Sequence, residues 1–144
     1  MTLTFADLPL RKETIAALNE HGYTAPFPIQ EQVLSIALAD GDVIGQAKTG
    51  TGKTLAFGIP LVDRVIAPAD EEWKSFEYQD SPQVLVVVPT RELCVQVTKD
   101  LEEITQSRKI RVLAVYGGRA FEPQIEALQR GVEIIVWEEA IHRP

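Results

Sequence analysis

The chain has 144 residues, 45% of them hydrophobic, which is the size and apolar content of one globular domain. A formal net charge of −7 argues against capture of nucleic acid by overall field, because counterion release needs clustered Lys and Arg; any such contact has to be local. The single cysteine, Cys94, excludes an intramolecular disulfide, and with only His21 and His142 beside it there is no Cys/His zinc pattern.

In chain order, residues 1–10 contain Asp7 and Pro9 and lack the basic start and apolar core of a secretory signal. No apolar run reaches bilayer length, so the expected location is cytoplasmic. A short helix is predicted over 11–20 with Ile15 and Leu18 inward, stopped by His21 and Gly22. Pro26 and Pro28 stiffen the approach to a second helix, where Pro28 suits the first turn and Gln30 also falls. That helix runs through 39 with Ile29, Val33, Ile36 and Ala37 on one face, and Gly41 ends it. Residues 42–46 read as a strand. A helix over 53–66 follows the next loop, with Leu55, Ile59, Leu61 and Val62 inward and Pro60 expected to kink it or end a segment.

Residues 67–82 turn to Pro, Asp, Glu and Ser and read as a long loop or insertion. Its Trp73, Phe76 and Tyr78 have acidic neighbours, which suits a patch that tacks the loop down better than a base-stacking platform. The β-branched run 83–88 has the look of a strand covered on both faces. Pro89 and Thr90 close it, and a helix from Arg91 places Leu93, Val97, Leu101 and Ile104 on one side, with Cys94 as a small core residue. A strand over 111–116 ends in Gly117 and Gly118, a helix over 123–129 stops at Gly131, and 132–137 is a fourth strand. This alternation calls for an α/β parallel sheet flanked by helices. Ligand sites in such sheets gather beyond the carboxyl ends of the strands, so three strand-end loops are expected to line one edge.

The stretch Ala47, Lys48, Thr49, Gly50, Thr51, Gly52, Lys53, Thr54 fits a phosphate-binding loop except that its first position is Ala instead of Gly. Gly50 and Gly52 allow successive N–H groups to turn inward around phosphate oxygens, and the helix N-terminus adds positive partial charge. Lys53 would reach the β- and γ-phosphates, and the Thr54 hydroxyl is placed to ligate Mg²⁺.

Three stretches together, 22–30, 47–54 and Pro89-Thr90-Arg91-Glu92-Leu93, resemble the first, RecA-like domain of DEAD-box ATP-dependent RNA helicases. The resemblance implies a RecA-like P-loop parallel sheet, here incomplete. It also implies that residues 3–31 hold the Q motif, with Gln30 selecting adenine and Phe5, seventeen positions before Gly22, stacking on it. A Gln side chain can donate to and accept from one base edge, the bidentate pairing that selects adenine. Taken alone, Gln30 reads as an exposed helix residue and Phe5 as a hydrophobic staple. By the same resemblance Pro89, Thr90 and Arg91 correspond to motif Ia and Gly117-Gly118 to the GG element, which grip the RNA sugar-phosphate backbone without regard to sequence. ATP and Mg²⁺ are the implied cofactors and RNA the implied partner.

The resemblance runs over about 5–136, so the expected organisation is a partial helicase ATP-binding domain over 1–136 and a divergent tail over 137–144. Where the family has Thr-Pro-Gly-Arg after the fourth strand, this chain has Trp137, Glu138, Glu139 and Ala140. The sequence contains no Asp-Glu-Ala-Asp, no Ser-Ala-Thr and no second RecA-like domain, the elements that in the family carry hydrolysis. Both absent strands would be central, so an unpaired sheet edge is expected. Two readings of function stand beside each other. One is the ATP-binding part of a DEAD-box RNA helicase; the other is a truncated or frame-shifted product, inert or limited to nucleotide binding. Either way weak, Mg²⁺-assisted adenine-nucleotide binding and low stability are expected. A small P-loop kinase would have its phosphate loop nearer the N-terminus and an arginine-bearing lid, and neither is found.

Overall fold

Apolar residues recurring every three or four positions make the helices, and three short runs rich in Val, Ile and Leu make the strands. The computed structural model describes residues 2–46, 52–118 and 120–139. The chain divides into two units, 1–64 and 65–144. Among the described residues no helix is long and apolar enough to cross a membrane.

The first unit is helical. A 3-10 turn, Phe5–Asp7, precedes α1, Lys12–Glu20, and Phe5 is buried with its amide donating to the Thr24 carbonyl at 3.1 Å. The turn is closed by Asp7, whose carboxylate accepts from the Thr4 amide at 2.9 Å and the Thr4 hydroxyl at 3.0 Å. Helix α2, Pro28–Ala37, starts with proline in its first turn, where the missing N–H costs nothing. Helix α3, Lys53–Arg64, keeps Pro60 inside it and buried, so the helix runs through the proline and stops two residues before the expected end. The Arg11 amide donates to Asp63 Oδ1 at 2.8 Å, and Arg64 reaches the Ala37 carbonyl at 2.8 Å and Asp40 at 2.5 Å, so the end of α3 is tied to both other helices.

Two expectations fail in this unit. The buried face of α2 is Gln30, Val33 and Leu34, while Ile36 is exposed, because the packing arc lies nearer Leu34 than the apolar count suggests. Residues 42–46 do not form a strand. A strand exists only through a ladder partner, and none is present for this segment among the described residues. Ile44 is 99% exposed, and a Cβ on Gly45 would sit 3.3 Å from Val33 Cγ2, so within this segment Gly45 lies close to α2.

The second unit holds a parallel sheet of three strands in the order β1-β3-β2: β1, Val84–Val88, β2, Val112–Val115, and β3, Ile134–Glu138. Helix α4, Arg91–Thr105, packs against all three, and α5, Phe121–Arg130, packs against β2. The Thr90 hydroxyl caps α4 by accepting from the Leu93 amide at 3.1 Å. The core joins Val86, Val88, Ile134 and Val136 of the sheet to Cys94, Val97, Leu101 and Ile104 of α4. Each such side chain contributes roughly 1.5–3 kcal/mol by leaving water. Cys94 is the small core residue expected, its thiol 3.3 Å from the Val136 carbonyl. Leu93 is exposed, one step off the buried stripe.

The expected two-sided cover of β1 is not observed. Val86 and Val88 are buried, but Leu85 and Val87 are 55% and 56% exposed. Alternate residues of a strand face opposite sides, and α4 covers only one of them. Among the described residues β1 and β2 each pair with β3 alone.

The 67–82 segment contains a 3-10 turn, Glu71–Ser75, and its aromatics cluster with one another inside it: Trp73 meets Phe76 at 6.1 Å and Phe76 meets Tyr78 at 6.0 Å between ring centroids, both edge-to-face. Arg111 lies 5.9 Å from the Trp73 ring centroid and is also paired with the fully buried Glu133, whose hydrogen bonds raise the guanidinium's pKa further. Beneath the segment Arg108, itself buried, donates to Asp70 at 2.7 Å and to the Val65 carbonyl at 2.5 Å.

Candidate functional site

Of the phosphate-loop residues, Gly52, Lys53 and Thr54 are described, while Ala47, Lys48, Thr49, Gly50 and Thr51 lie outside the described residues. Lys53 and Thr54 open α3, so their side chains start from a helix N-terminus, where amide groups without intrahelical partners favour anions. Lys53 is exposed. It also lines a cavity of about 330 Å³ with Ile29, Val33, Val43, Gly45, Ala56 and Phe57, a hollow that is largely apolar among the described residues.

Gln30 is the hinge of this region. Although on sequence alone it reads as exposed, it is 2% exposed. Its Oε1 accepts from the Phe27 amide at 2.9 Å, and its Nε2 donates to the Gly52 carbonyl at 3.1 Å. One side chain therefore caps α2 and holds the last glycine of the phosphate loop. Gly52 has φ of +82°, and an added Cβ would lie 2.7 Å from Phe27 Cδ2 and closer still to Gln30 Nε2, so only glycine fits. Phe27 thus belongs to the site; the sequence offered it inside the 22–30 stretch, but without a role. Phe5 is placed by its hydrogen bond to Thr24, in the loop that leads to Gln30.

Thr4 holds the Asp7 carboxylate below the usual carboxylate range, first through its amide and then through its hydroxyl, opposed by slight desolvation. A folded-state pKa lowered in this way gives stability that is complete above the unfolded value and is lost as pH falls through the lowered one. Asp7→Asn should therefore loosen Phe5 at neutral pH, seen as increased amide exchange at Phe5 and Leu8; unchanged exchange would mean that the cap does not hold the turn.

The residues assigned to RNA meet in the second unit. The parallel register places Val88 opposite Glu138 and Val115 opposite Trp137, so all three strands end at one edge. Pro89, Thr90 and Arg91 follow β1, and Tyr116, Gly117 and Gly118 follow β2. The two loops converge: Arg91 lies 5.1 Å from the Tyr116 ring centroid, and a Cβ on Gly118, whose φ is +81°, would come within 2.8 Å of Arg91 Nη1. The Gly117 amide is not open, since it donates to Glu138 Oε2 at 3.0 Å. Tyr116 and Glu138 were not assigned from the sequence; the only signal for Glu138 was that it stands where the Thr-Pro-Gly-Arg pattern breaks.

With this geometry in place, the comparisons with known proteins are specific. Residues 27–141 match the model of the DEAD/DEAH box helicase family. The chain is 43% identical over 138 residues to the DEAD-box ATP-dependent RNA helicase CshA of Bacillus subtilis, covering 94% of this chain and 26% of that protein. It is 41% identical over 132 residues to the human ATP-dependent RNA helicase DDX50, covering 92% of this chain and 17% of that one. The chain thus spans about a quarter or less of the length of these curated relatives. A crystal structure of the RNA-helicase Prp28 from Chaetomium thermophilum bound to ADP superposes with a TM-score of 0.77 at 34% identity, over 95% of this chain and 32% of that one. The small parallel sheet with its flanking helices is accordingly part of a RecA-like helicase fold. A match over most of its length, shared with relatives above 40% identity, means that this chain belongs to the DEAD/DEAH box helicase family.

Proposed function

We propose that these residues supply the adenine-nucleotide grip and one RNA-contacting edge of an ATP-dependent RNA helicase. ATP is held by Gln30 on the base edge, by Gly52, Lys53 and Thr54 with the rest of the 47–54 loop on the phosphates, and by Phe5 against the base, which requires its ring, 1% exposed here, to be uncovered on binding. The observation that carries the reading is the Gln30 side chain bonded to both the Phe27 amide and the Gly52 carbonyl. Each end of the Gln30 amide keeps one further hydrogen-bonding position beyond these two bonds, so the same side chain can pair with a base edge while it holds the loop that carries the phosphates.

Mg²⁺ would arrive with the nucleotide. Among the described residues there is no cluster of three acidic, His or Cys side chains able to hold a cation alone, whereas the Thr54 hydroxyl with two phosphate oxygens and water suits an ion that keeps part of its hydration shell. RNA is bound by Pro89, Thr90, Arg91, Gly117 and Gly118 through its backbone, without regard to sequence. Hydrolysis and unwinding are proposed for the family's longer architecture, and for these residues the proposal is binding.

Gln30→Ala tests the reading. It should reduce ATP affinity by roughly 10-fold, the loss of about one good hydrogen-bond pair, and reduce preference over GTP by a similar factor. Equal affinities for ATP and GTP in the unaltered chain, measured by titration with fluorescent nucleotide analogues, would reject adenine selection by Gln30.

A further inference from the structure

The edge formed by the three strand ends has an acid at its centre. β3 lies between β1 and β2, so its last residue, Glu138, comes up between the loop of Pro89, Thr90 and Arg91 and the loop of Gly117 and Gly118. Its carboxylate accepts from the Gly117 amide at 3.0 Å. A backbone amide has one hydrogen to donate, so a carboxylate oxygen and a phosphate oxygen cannot both use it well. The two anions ask the same thing of the site: a donor, and a cation nearby. Arg91, stacked near Tyr116 and against Gly118, is that cation.

We propose that Glu138 is an internal competitor for the Gly117 amide, occupying with its carboxylate the position an RNA phosphate would take and thereby weakening the hold of this edge on RNA. The proposal rests on the reading of the edge as an RNA-backbone site. Binding then requires the carboxylate to swing off the amide, and its charge remains close to the incoming phosphate, so Glu138 acts twice, by blocking and by repulsion. Glu139 follows in the chain and is exposed, so it shares only the second effect.

The test uses the 144-residue chain and a fluorescein-labelled oligouridylate ten-mer, with anisotropy as the affinity readout and the amide resonance of Gly117 as the site readout. Glu138→Ala should bind about 10-fold more tightly at low salt, from one freed charge-assisted donor and one lost like charge. Glu138→Gln keeps the shape and an acceptor while removing the charge, so it should gain less and guards against misfolding of the alanine variant. Glu139→Gln should gain no more than about 2-fold, the screened through-space effect alone. If Glu138→Ala and Glu139→Gln gain equally while the Gly117 resonance moves with RNA in the unaltered chain, the edge reading stands and competition by Glu138 is overturned. If Arg91→Ala leaves affinity unchanged and the Gly117 resonance stays still in every variant, the edge reading falls and the proposal with it.

Discussion

Lys53→Ala is expected to lower ATP affinity by about 10- to 100-fold, because it removes a charge-assisted contact to phosphate worth roughly 1.5–3 kcal/mol. Lys53 is exposed and begins α3, and alanine is a strong helix former, so the fold should be unaffected. A nucleotide titration followed by a thermal melt separates the two effects. Affinity should collapse while Tm stays in place; an unchanged affinity would mean that the helix N-terminus alone, or some other part of the chain, holds the phosphates. AMP, which lacks the β- and γ-phosphates, should bind the variant and the unaltered chain alike.

The largest expected effect on stability is at Arg108. Its side chain and that of Asp70 are 2% and 3% exposed, and together they join the 67–82 segment to the turn after α4. Arg108→Met leaves a buried carboxylate without its cation, a loss of roughly 3–5 kcal/mol. For a chain of this size that corresponds to a fall in Tm on the order of 10 °C. Asp70 also accepts from the Ala67 amide at 2.8 Å, so the loop would loosen where it leaves Val65. Arg108→Met combined with Asp70→Leu should recover much of the loss, since the penalty comes from the unpaired charge more than from the missing attraction. A double variant no more stable than the single one would show that the hydrogen bonds to Val65 and Ala67, not the ion pair, hold the segment.

Local order in the sequence named most elements correctly and placed their ends within a few residues. The capped start of α4, the stop at Gly131 and the β-branched run of β1 each depend on neighbours a few positions away. Where the outcome depended on distant partners, the sequence was silent or misleading. Residues 42–46 have strand composition, yet without a ladder partner among the described residues they form no strand. Leu85 and Val87 look like residues covered on both sides, but cover is supplied by whatever packs there, and α4 supplies it on one side.

For the site the division is similar. The residue types and spacing of the 22–30 stretch, of the 47–54 loop and of Pro89-Thr90-Arg91-Glu92-Leu93 are properties of the chain itself, and together they pointed to a phosphate ligand and to the resemblance to DEAD-box helicases. That Gln30 is buried and bonded at both ends of its amide was decided by packing, because a side chain reaching from α2 to a residue 22 positions away has no local signature. Glu138 is the sharper case. In sequence it was part of a tail that matched nothing, and only the parallel register, which sets the end of β3 between two loops, put its carboxylate on the Gly117 amide. Sequence determines which groups a chain carries and the period at which it presents them; tertiary structure decides which of those groups meet, because strand order and burial come from contacts made far along the chain.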